Sequence, residues 1–464
     1  MADSAQSGGI FTDAPDHDTT SPAASLRQNG TGAADYDAVI VGASLAGSTA
    51  AIMLGRAGLR VALVEQRPDP DAFKRVCSHY IQASAVATLE RVGLLEPMEA
   101  AGAVRSRGRL WTRWGWIAPT TQNSVPPGVN LRRGKLDPLV RGIAAETPGV
   151  ELMLGRAVTE LVRDGDSVRG VRVRDSRGET LTLRARLVVG ADGRDSRVAK
   201  LAGVKSKTAR HGRFAYGGYF DGPAPEGAPD ASLWMLDPHM AASFPTDSGQ
   251  TFYAAMPTNE RLPEFRADPA KALVDFVAAV PEAPPIRVSR LTEPVTGKLD
   301  MTNVAHTPTA PGLALVGDAA LAIDPLWGVG CGWAFQTAEW LSDSAAPALL
   351  GAESLDRGLT RYRRRYNRGL RGHAMLIYDY AGGRKFSPGE RLLFSAATRD
   401  EHIARAFEAF GTRSIGPARM FATTIPRALY VSARHALRAA PATSVPVPER
   451  SRPAEGARSA EGVR

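Results

Sequence analysis

Residues 36–67 read YDAVIVGASLAGSTAAIMLGRAGLRVALVEQR, and this stretch decides the fold. The apolar, β-branched run at 38–41 predicts a buried strand. A glycine-rich turn follows at 42–47, and an apolar helix is predicted over 48–57. A second buried strand, at 61–65, ends in an acid. The stretch is therefore predicted to form a βαβ unit.

Each residue type in the turn suits a dinucleotide. Gly42 permits a sharp turn, and Gly47 lets the helix pack close to the strand. The open N terminus of the helix offers N–H groups and a positive dipole end to a pyrophosphate, while Glu65 can accept hydrogen bonds from ribose hydroxyls. Ser44 replaces the middle glycine of GxGxxG, and its hydroxyl is able to bind a phosphate. The pattern favours a dinucleotide site over a turn without a ligand.

The composition is that of a globular protein. The 464 residues are 44% hydrophobic and 23% charged, which suffices for two or three domains. No apolar run approaches the ~18 residues that a membrane span needs. No metal-binding cluster stands out, and only two cysteines, Cys77 and Cys331, are present. We therefore expect a reducing compartment and a cytoplasmic protein.

The chain is basic, with a net charge of +9. This charge suits a phosphate-rich cofactor, NADPH or an acidic substrate, although an arginine-rich surface accounts for it equally well. No basic run is interleaved with aromatic residues, so nucleic acid is not an expected partner.

The pattern along the chain predicts an α/β fold with a second, mostly antiparallel β-sheet domain, because strand-like segments there alternate with Pro/Gly turns. The predicted segments are a disordered tail at 1–34, a dinucleotide-binding domain at 35–204 (with inserted strands at about 105–130) and 301–350, a β-sheet substrate domain at 205–300, a C-terminal helical region at 351–437 and a disordered tail at 438–464.

Two further strand–turn sites repeat the style of the first. A strand at 187–189 runs into GADG at 190–193, and a strand at 313–316 runs into Gly317-Asp318 and the loop PLWGVG. In this order and at these spacings, the three sites resemble those of the group A flavoprotein monooxygenases. Their para-hydroxybenzoate hydroxylase-like fold is shared by flavin halogenases and geranylgeranyl reductases. The resemblance covers about residues 36–345.

The resemblance implies a Rossmann-like FAD-binding domain. It places the ADP half of FAD on the first turn, the pyrophosphate near Asp192, the ribityl chain on Asp318, and the isoalloxazine against the loop at 325–332. Arg133 occupies the place of a family arginine that contacts FAD, although a solvated charge at a helix start is equally compatible. The predicted cofactor-binding residues are Gly42, Ser44, Leu45, Ala46, Gly47, Glu65, Gln66, Arg67, Arg133, Asp192, Asp318, Pro325, Gly328 and Gly330.

Other residues near these turns are weaker candidates. Cys77, in KRVCSHYI, faintly resembles the KxxCGG region of geranylgeranyl reductases, but a buried structural cysteine is the favoured interpretation. Cys331 is expected to pack as a small residue. His79 is a candidate acid or base, and Gln82 is favoured as a surface amide over a flavin neighbour.

The activity that the resemblance implies is NAD(P)H-dependent monooxygenation. FAD reduced by NAD(P)H captures O₂ as a C4a-hydroperoxide, which inserts one oxygen atom into a small hydrophobic or aromatic substrate, such as a secondary metabolite. No second GxGxxG is present, which suits transient binding of NAD(P)H. The alternatives are a flavin-dependent halogenase, an FAD-dependent reductase or dehydrogenase of C=C bonds (supported by Cys77), and a flavin-fold binding protein without turnover.

The halogenase alternative rests on one segment. WGWIAP at 114–119 partly matches the WxWxIP motif of halogenases, but Ile117 is one place early and the segment precedes the GADG turn instead of following it. Lys74, the nearest candidate for the family's catalytic lysine, is poorly placed. Monooxygenation is therefore favoured.

The substrate pocket is expected between the flavin and the second sheet. Arg213 or His211 is able to hold an acidic or phenolate group, and His79, Arg213 and Tyr216 are weak catalytic candidates. A homodimer through the C-terminal helices is left open. The predicted pocket walls are Phe214, Tyr216, Tyr219, Trp234, Met235, Phe252 and Tyr253, with Trp111 and Trp114 as further candidates.

Overall fold

The strand, turn and helix predicted at 36–67 stand at the centre of the structure. The computed structural model describes residues 34–119, 125–209 and 211–436, so the tails predicted to be disordered lie outside the described residues apart from Ala34. Strand β1 (Tyr36–Val41) leads into α1 (Leu45–Arg56) and β2 (Val61–Val64). The helix begins at Leu45, ahead of the expected start at 48, because Ser44 already has the extended conformation of an N-cap.

The remaining strands, in chain order, are β3 (Tyr80–Ile81), β4 (Val104–Ser106), β5 (Gly108–Thr112), β6 (Gly115–Ile117), β7 (Gly128–Asn130), β8 (Val150–Met153), β9 (Ala157–Asp164), β10 (Ser167–Arg174), β11 (Thr180–Gly190), β12 (Ser206–Ala209), β13 (Ala215–Asp221), β14 (Ala231–Met235), β15 (Met240–Pro245), β16 (Thr251–Met256), β17 (Arg290–Leu291), β18 (Thr296–Lys298), β19 (Asn303–His306), β20 (Thr309–Ala310), β21 (Leu313–Leu315) and β22 (Leu321–Ala322). The remaining helices are α2 (Val86–Arg91), α3 (Leu95–Ala100), α4 (Arg133–Glu146), α5 (Arg197–Ala202), α6 (Leu262–Ala267), α7 (Pro269–Ala278), α8 (Gly330–Leu349), α9 (Leu355–Ala381), α10 (Pro388–Ala397), α11 (Glu401–Gly411) and α12 (Pro417–Ala436).

The first sheet is organised around β1. Its parallel strands stand in the order β21-β11-β1-β2-β8, and Ile40 pairs with Val189 on one side and Leu63 on the other. Helices α1 and α4 pack beside it, and α8 packs against α1. In such sheets, ligands bind at the carboxyl ends of the strands. The turns after β1, β11 and β21 meet at this edge, as the resemblance implies.

The second sheet is mostly antiparallel and draws strands from outside 205–300. Its order is β17-β13-β16-β15-β14-β5-β6, with β18 also paired to β13. Strand β5 pairs with β14 in parallel, with Trp111 opposite Trp234. The inserted β5–β6 hairpin is therefore part of the substrate-side sheet.

Side chains of this sheet alternate between two apolar layers. On one face, Phe214, Trp234 and Tyr253 pack under α6 and α7. On the opposite face, Met235 and Phe244 pack under α10 and α11. Both faces of the sheet are thus covered by helices.

The C-terminal helices join the two sheets. Helix α9 packs along α8, and the Tyr362 hydroxyl on α9 donates to the Leu315 carbonyl of β21 at 2.6 Å. Helices α10 and α11 cover the second sheet. Within the described residues, no helix is both long and apolar enough to cross a lipid bilayer.

The dipeptide Asp137-Pro138 is typical of an N-cap followed by proline at the first helical position, but α4 begins earlier. It begins at Arg133 and contains Pro138. Asp137 is therefore not an N-cap: its carboxylate is buried against the Arg133 guanidinium, 2.7 Å away. Arg133 is therefore part of a buried ion pair and is not a solvated charge at the start of the helix.

Candidate active site

The turn after β1 brings backbone segments into close contact. A Cβ on Gly42, whose φ is 103°, would lie 2.5 Å from the Ala191 carbonyl oxygen. A Cβ on Gly47 would lie 1.7 Å from the Gly42 carbonyl oxygen, so only glycine fits at either position. Ser44 makes no side-chain cap, which leaves the first-turn N–H groups of α1 without one.

Glu65 follows β2 and lies against this turn. One carboxylate oxygen accepts a hydrogen bond from the Ala43 N–H at 3.0 Å. The other accepts from the Arg67 backbone N–H at 3.0 Å and from its Nε at 3.1 Å. Glu65 is buried. Glu65, the residue predicted to bind the ribose, is therefore held in a fixed position beside the turn.

Ser44, Arg133 and Asp137 form a buried network. Arg133 Nη2 donates to Ser44 Oγ at 2.8 Å and to Asp137 Oδ1 at 2.7 Å, and Ser44 Oγ donates to Asp137 Oδ1 at 3.0 Å. Burial opposes the charge of Arg133, but the Asp137 carboxylate and the sulfurs of Cys331 and Cys77 together outweigh it and raise the pKa of Arg133. The serine that departs from the glycine pattern thus connects the turn to α4.

Asp192, in the second turn, shapes the entry to α5. Its Oδ1 accepts from the Ser196 hydroxyl at 2.6 Å, and its Oδ2 accepts from the Val198 N–H at 3.0 Å. Ser196 in turn caps α5 by accepting from the Ala199 N–H at 2.9 Å.

Asp318, in the third turn, forms an ion pair with Lys74. The lysine Nζ lies 2.8 Å from Asp318 Oδ2. Burial alone would raise the pKa of Asp318, but the Lys74 ammonium, together with Arg194 and Arg133, outweighs burial and lowers that pKa. The Asp318 carboxylate in turn raises the pKa of Lys74. Both groups are therefore charged at neutral pH.

These segments surround a cavity of about 710 Å³. All the predicted cofactor-binding residues line it except Gly47. The cavity also reaches Gly330, the first residue of α8, whose N-cap Val329 makes no side-chain cap. This lining fits a dinucleotide: it has two helix N termini without side-chain caps, the glycine turn after β1 and nearby cations. Among the described residues, no cluster of three or more His, Cys, Asp or Glu is placed to hold a metal ion.

A second, smaller cavity adjoins the first. It measures about 170 Å³ and lies between the second sheet and α10–α11. Phe244 borders both cavities. Met235, Phe394 and Phe407 add apolar walls, and Trp327 reaches it from the PLWGVG loop.

Comparison with known proteins assigns the family. A family model described as "FAD binding domain" matches residues 35–368, which contain all three turns. The chain belongs to this FAD-binding family. The predicted membership of the group A flavoprotein superfamily is confirmed.

Relatives of this FAD-binding protein differ in reaction. It is 30% identical to kynurenine 3-monooxygenase of Salinispora arenicola over 64% of this chain and 70% of the relative. It is 26% identical to digeranylgeranylglycerophospholipid reductase of Picrophilus torridus over 64% of this chain and 74% of the relative. A flavin-dependent brominase shares the fold, with a TM-score of 0.65 and 20% identity over 81% of this chain and 93% of that one. Oxidoreductase activity is thus shared across the family, whereas the reaction is not.

His79 is buried and bonded within the FAD-binding protein. Its Nδ1 accepts from the Arg133 N–H at 3.0 Å, and its Nε2 meets the Tyr219 hydroxyl. Burial lowers the pKa of His79 to about 4, so the ring is neutral at neutral pH. Since Nδ1 accepts, the ring proton is on Nε2 and is donated to Tyr219. His79 is not among the residues that line the first cavity, so its geometry supports a role in positioning α4.

Arg213 and Tyr216 also differ from expectation. Arg213 is fully buried, donates to the Pro238, Met256 and Tyr380 carbonyls, and lies over the Tyr380 ring at 4.5 Å. It therefore ties the second sheet to α9 and is not free to hold a substrate. The Tyr216 ring stacks on Phe265 at 5.4 Å between centroids, although the residue borders the first cavity.

His211 lies near the PLWGVG loop. Its Nε2 is 2.5 Å from Asp324 Oδ2, and Asp324 lines the first cavity next to Pro325. The Asp324 N–H donates to Asn303 Oδ1 at 2.7 Å. This contact places His211 behind the loop as a support.

The predicted pocket walls divide between the two faces of the sheet. Trp111, Phe214, Trp234 and Tyr253 pack in the layer under α6 and α7, so their assignment as pocket walls is corrected. Both faces of these strands are apolar, and the alternation alone does not tell which face meets the cofactor. The other predicted walls lie on the opposite face of the sheet. Phe252 lines the first cavity and Met235 lines the second. Tyr219 contacts His79, and Trp114 packs against the apolar layer under α10 and α11.

Gln82 and the cysteines require corrections too. Gln82 is buried, not a surface amide: its Nε2 donates to the Gly411 carbonyl at 2.8 Å, and it lines the second cavity.

Cys77 lines the first cavity and lies 3.5 Å from Cys331, sulfur to sulfur. Sequence reasoning missed this contact, the Lys74–Asp318 pair and Asp137, because their spacing along the chain has no local signature.

Proposed function

We propose that this FAD-binding protein is an NAD(P)H-dependent monooxygenase that inserts one oxygen atom from O₂ into a small apolar or aromatic substrate. The observation that carries the proposal is the pair of adjoining cavities. The first is charged, glycine-lined and bordered by helix N termini. The second is mainly apolar, although Arg109, Glu408 and Gln82 also line it, and Phe244 borders both. A cofactor and an apolar substrate each have a matching compartment in this arrangement.

In this proposal, the first cavity holds FAD. The α1 N terminus at Gly42 to Gly47 receives the pyrophosphate, and Glu65 accepts from the ribose. Asp192 would border the phosphates, and Asp318 would accept from the ribityl hydroxyls. The dipole at the α8 N terminus, at Gly330, would stabilise negative charge on the reduced flavin.

Arg133 has a supporting role. Its charge is buried with Asp137 and bonded to Ser44, so it fixes the turn against α4. Lys74 is half exposed at the cavity wall, where it neutralises Asp318. These residues shape the cofactor compartment before any ligand enters, which lowers the ordering cost of binding.

When bound, reduced FAD supplies the activation of O₂ that transfers one oxygen atom. The protein orients the substrate and excludes water. Phe244, Met235 and Phe394 form apolar walls that keep solvent from the reacting carbon. Trp327 brings the PLWGVG loop into contact with this compartment, and its ring packs against Phe410 at 5.4 Å. We infer a substrate with a flat apolar body that is recognised by shape.

Reduction of a C=C bond is the second candidate, since Cys77 faces the cofactor cavity. The halogenase alternative has less support. Trp116 lies under the Arg109 guanidinium, 4.1 Å away, and its Nε1 donates to Glu282 at 2.6 Å, away from the first cavity.

One experiment separates these reactions. The purified protein is incubated with NADPH, isotopically labelled O₂, chloride and bromide, and a panel of apolar aromatic compounds, and products are analysed by mass spectrometry. A product that carries one labelled oxygen atom supports the proposal. A halogenated product supports halogenation instead. A parallel incubation with NADPH and the same compounds omits O₂. A product that gains two hydrogens there supports the reductase and contradicts the proposal.

A further inference from the structure

The two cysteines of the chain lie in contact across 254 positions of sequence. Cys77 Sγ is 3.5 Å from Cys331 Sγ, and both are free thiols. A disulfide has an S–S bond of about 2.0 Å, so closure needs an approach of about 1.5 Å. Cys77 stands in the irregular segment between β2 and β3, which can supply this movement, whereas Cys331 is the second residue of α8.

The surroundings make the two sulfurs unequal. Cys77 Sγ accepts from the His79 N–H at 3.2 Å, and Arg133 Nη1 lies 3.8 Å from Cys77 Sγ and 4.0 Å from Cys331 Sγ. The hydrogen bond from Cys331, together with the nearby cations, lowers the pKa of Cys77. The hydrogen bond to Cys77 and burial raise the pKa of Cys331. A cysteine that accepts a backbone hydrogen bond beside a guanidinium, in contact with a second, buried cysteine, has the surroundings of a reactive cysteine next to a resolving one.

Both cysteines are also reachable by a small oxidant. Cys77 and Cys331 line the first cavity, together with Gly328 and Gly330 of the adjoining loop. Hydrogen peroxide is the small oxidant that a flavin site generates when electrons pass to O₂ without oxygenation of a substrate.

We propose that Cys77 and Cys331 form a peroxide-sensitive pair that closes into an intramolecular disulfide at the wall of the cofactor cavity. The Cys77 sulfur attacks one oxygen of hydrogen peroxide, the O–O bond breaks, and hydroxide leaves, so that Cys77 becomes a sulfenic acid. The Cys331 sulfur then attacks the Cys77 sulfur, the S–S bond forms and the S–O bond breaks. The two thiols lose two electrons and two protons, and peroxide becomes two waters.

Closure joins the segment that carries Lys74 to the start of α8. Because Lys74 pairs with Asp318, the disulfide would fix the cavity wall in one arrangement. The proposal goes beyond the proposed function and does not need FAD to be bound, so its failure and that of oxygenation are distinguishable.

The test treats the purified native protein, as isolated, with hydrogen peroxide and then alkylates it in acid. We expect the intact chain to become about 2 Da lighter and to lose both titratable thiols, with reversal by dithiothreitol. Peptide mapping should find Cys77 linked to Cys331 within one chain. A chain that keeps both thiols, oxidises them separately or links only to other chains would overturn the proposal.

Two single variants assign the roles. Cys331→Ser should accumulate a sulfenic acid at Cys77 that reacts with dimedone. Cys77→Ser should label at least about tenfold more slowly, because Cys331 is buried at the start of α8, whereas Cys77 is half-buried in an irregular segment. Equal labelling of the two variants would contradict the assignment of Cys77 as the reactive cysteine.

Discussion

The ammonium group of Lys74 lies 2.8 Å from a carboxylate oxygen of Asp318, although 244 positions separate the two residues. The contact joins the irregular segment after β2 to the turn after β21. Both residues line the first cavity, so the pair fixes part of the cavity wall.

Replacing Lys74 with methionine should destabilise the protein in a pH-dependent way. The lysine side chain is 50% exposed, so solvent screening keeps the loss near 1 kcal/mol. Because Lys74 lowers the pKa of Asp318, the contribution is complete above the unfolded aspartate pKa of about 4 and is lost as the pH falls through the lower folded pKa. Urea unfolding of wild type and variant should differ at pH 7 and converge in acid. The more exposed Lys271–Asp275 pair supplies the control, and Lys271→Met should change nothing measurable.

Asp137→Asn should lower the free energy of unfolding far more than Lys74→Met does. Asp137 is fully buried, and its loss of charge leaves the Arg133 guanidinium buried without a counter-ion. Breaking such a pair costs about 3–5 kcal/mol, measured as the free energy of unfolding in urea. Glu160→Gln, in an exposed pair with Arg172, is the matched control and should leave stability nearly unchanged. Similar losses in both variants would contradict the buried network.

His79 should make the protein acid-sensitive. Burial lowers its pKa to about 4, whereas an unfolded histidine titrates near 6.5, so between these values the unfolded chain binds more protons. Stability from the neutral ring is present above about pH 6.5 and falls as the pH drops toward 4. His79→Gln should reduce the slope of this part of the stability profile, to which His239 and His373 also contribute because burial lowers the pKa of each to about 4. His402→Gln, at an exposed position on α11, should keep the wild-type slope. An unchanged slope in His79→Gln would mean that other groups carry the acid sensitivity.

Phe244→Leu should weaken substrate binding without removing the cofactor. Phe244 borders both cavities, so a smaller side chain opens a gap beside the substrate. Once an oxygenated product is identified, we expect KM to rise several-fold, since about 1 kcal/mol of apolar contact is lost. Tyr253→Phe alters a side chain of the adjacent strand that faces the opposite layer, and its KM should match wild type. A KM that rises equally in both variants would place the substrate elsewhere.

The sequence predicted the three turns at the carboxyl edge of the first sheet because their signals are local. Gly42 and Gly47 are required by backbone contacts within one turn, and Glu65 follows its own strand directly. The antiparallel sheet and the helical C terminus were also predicted, and the fold class is confirmed. Local patterns therefore predict whether a segment forms a helix or a strand, and which turn ends it.

The substrate side was harder to predict for a physical reason. Trp234 and Met235 are both apolar neighbours on β14, yet one packs under α7 and the other at the second cavity. When helices cover both faces of a sheet, polarity does not mark the side of the ligand. The role of Arg213 was equally hard to predict from local sequence, because the carbonyls that accept its hydrogen bonds come from three distant segments.

The most direct test of the account is the FAD content of the purified chain. We predict about one FAD per chain, released on unfolding and identified by chromatography, with its visible band bleached by NADPH without oxygen. Gly47→Ala should lose FAD, because its Cβ would lie 1.7 Å from the Gly42 carbonyl oxygen. Gly142→Ala should retain FAD and gain up to about 1 kcal/mol of stability, because nothing lies within 4 Å of its Cβ. A wild-type chain that carries no flavin and takes up none from added FAD would contradict the account.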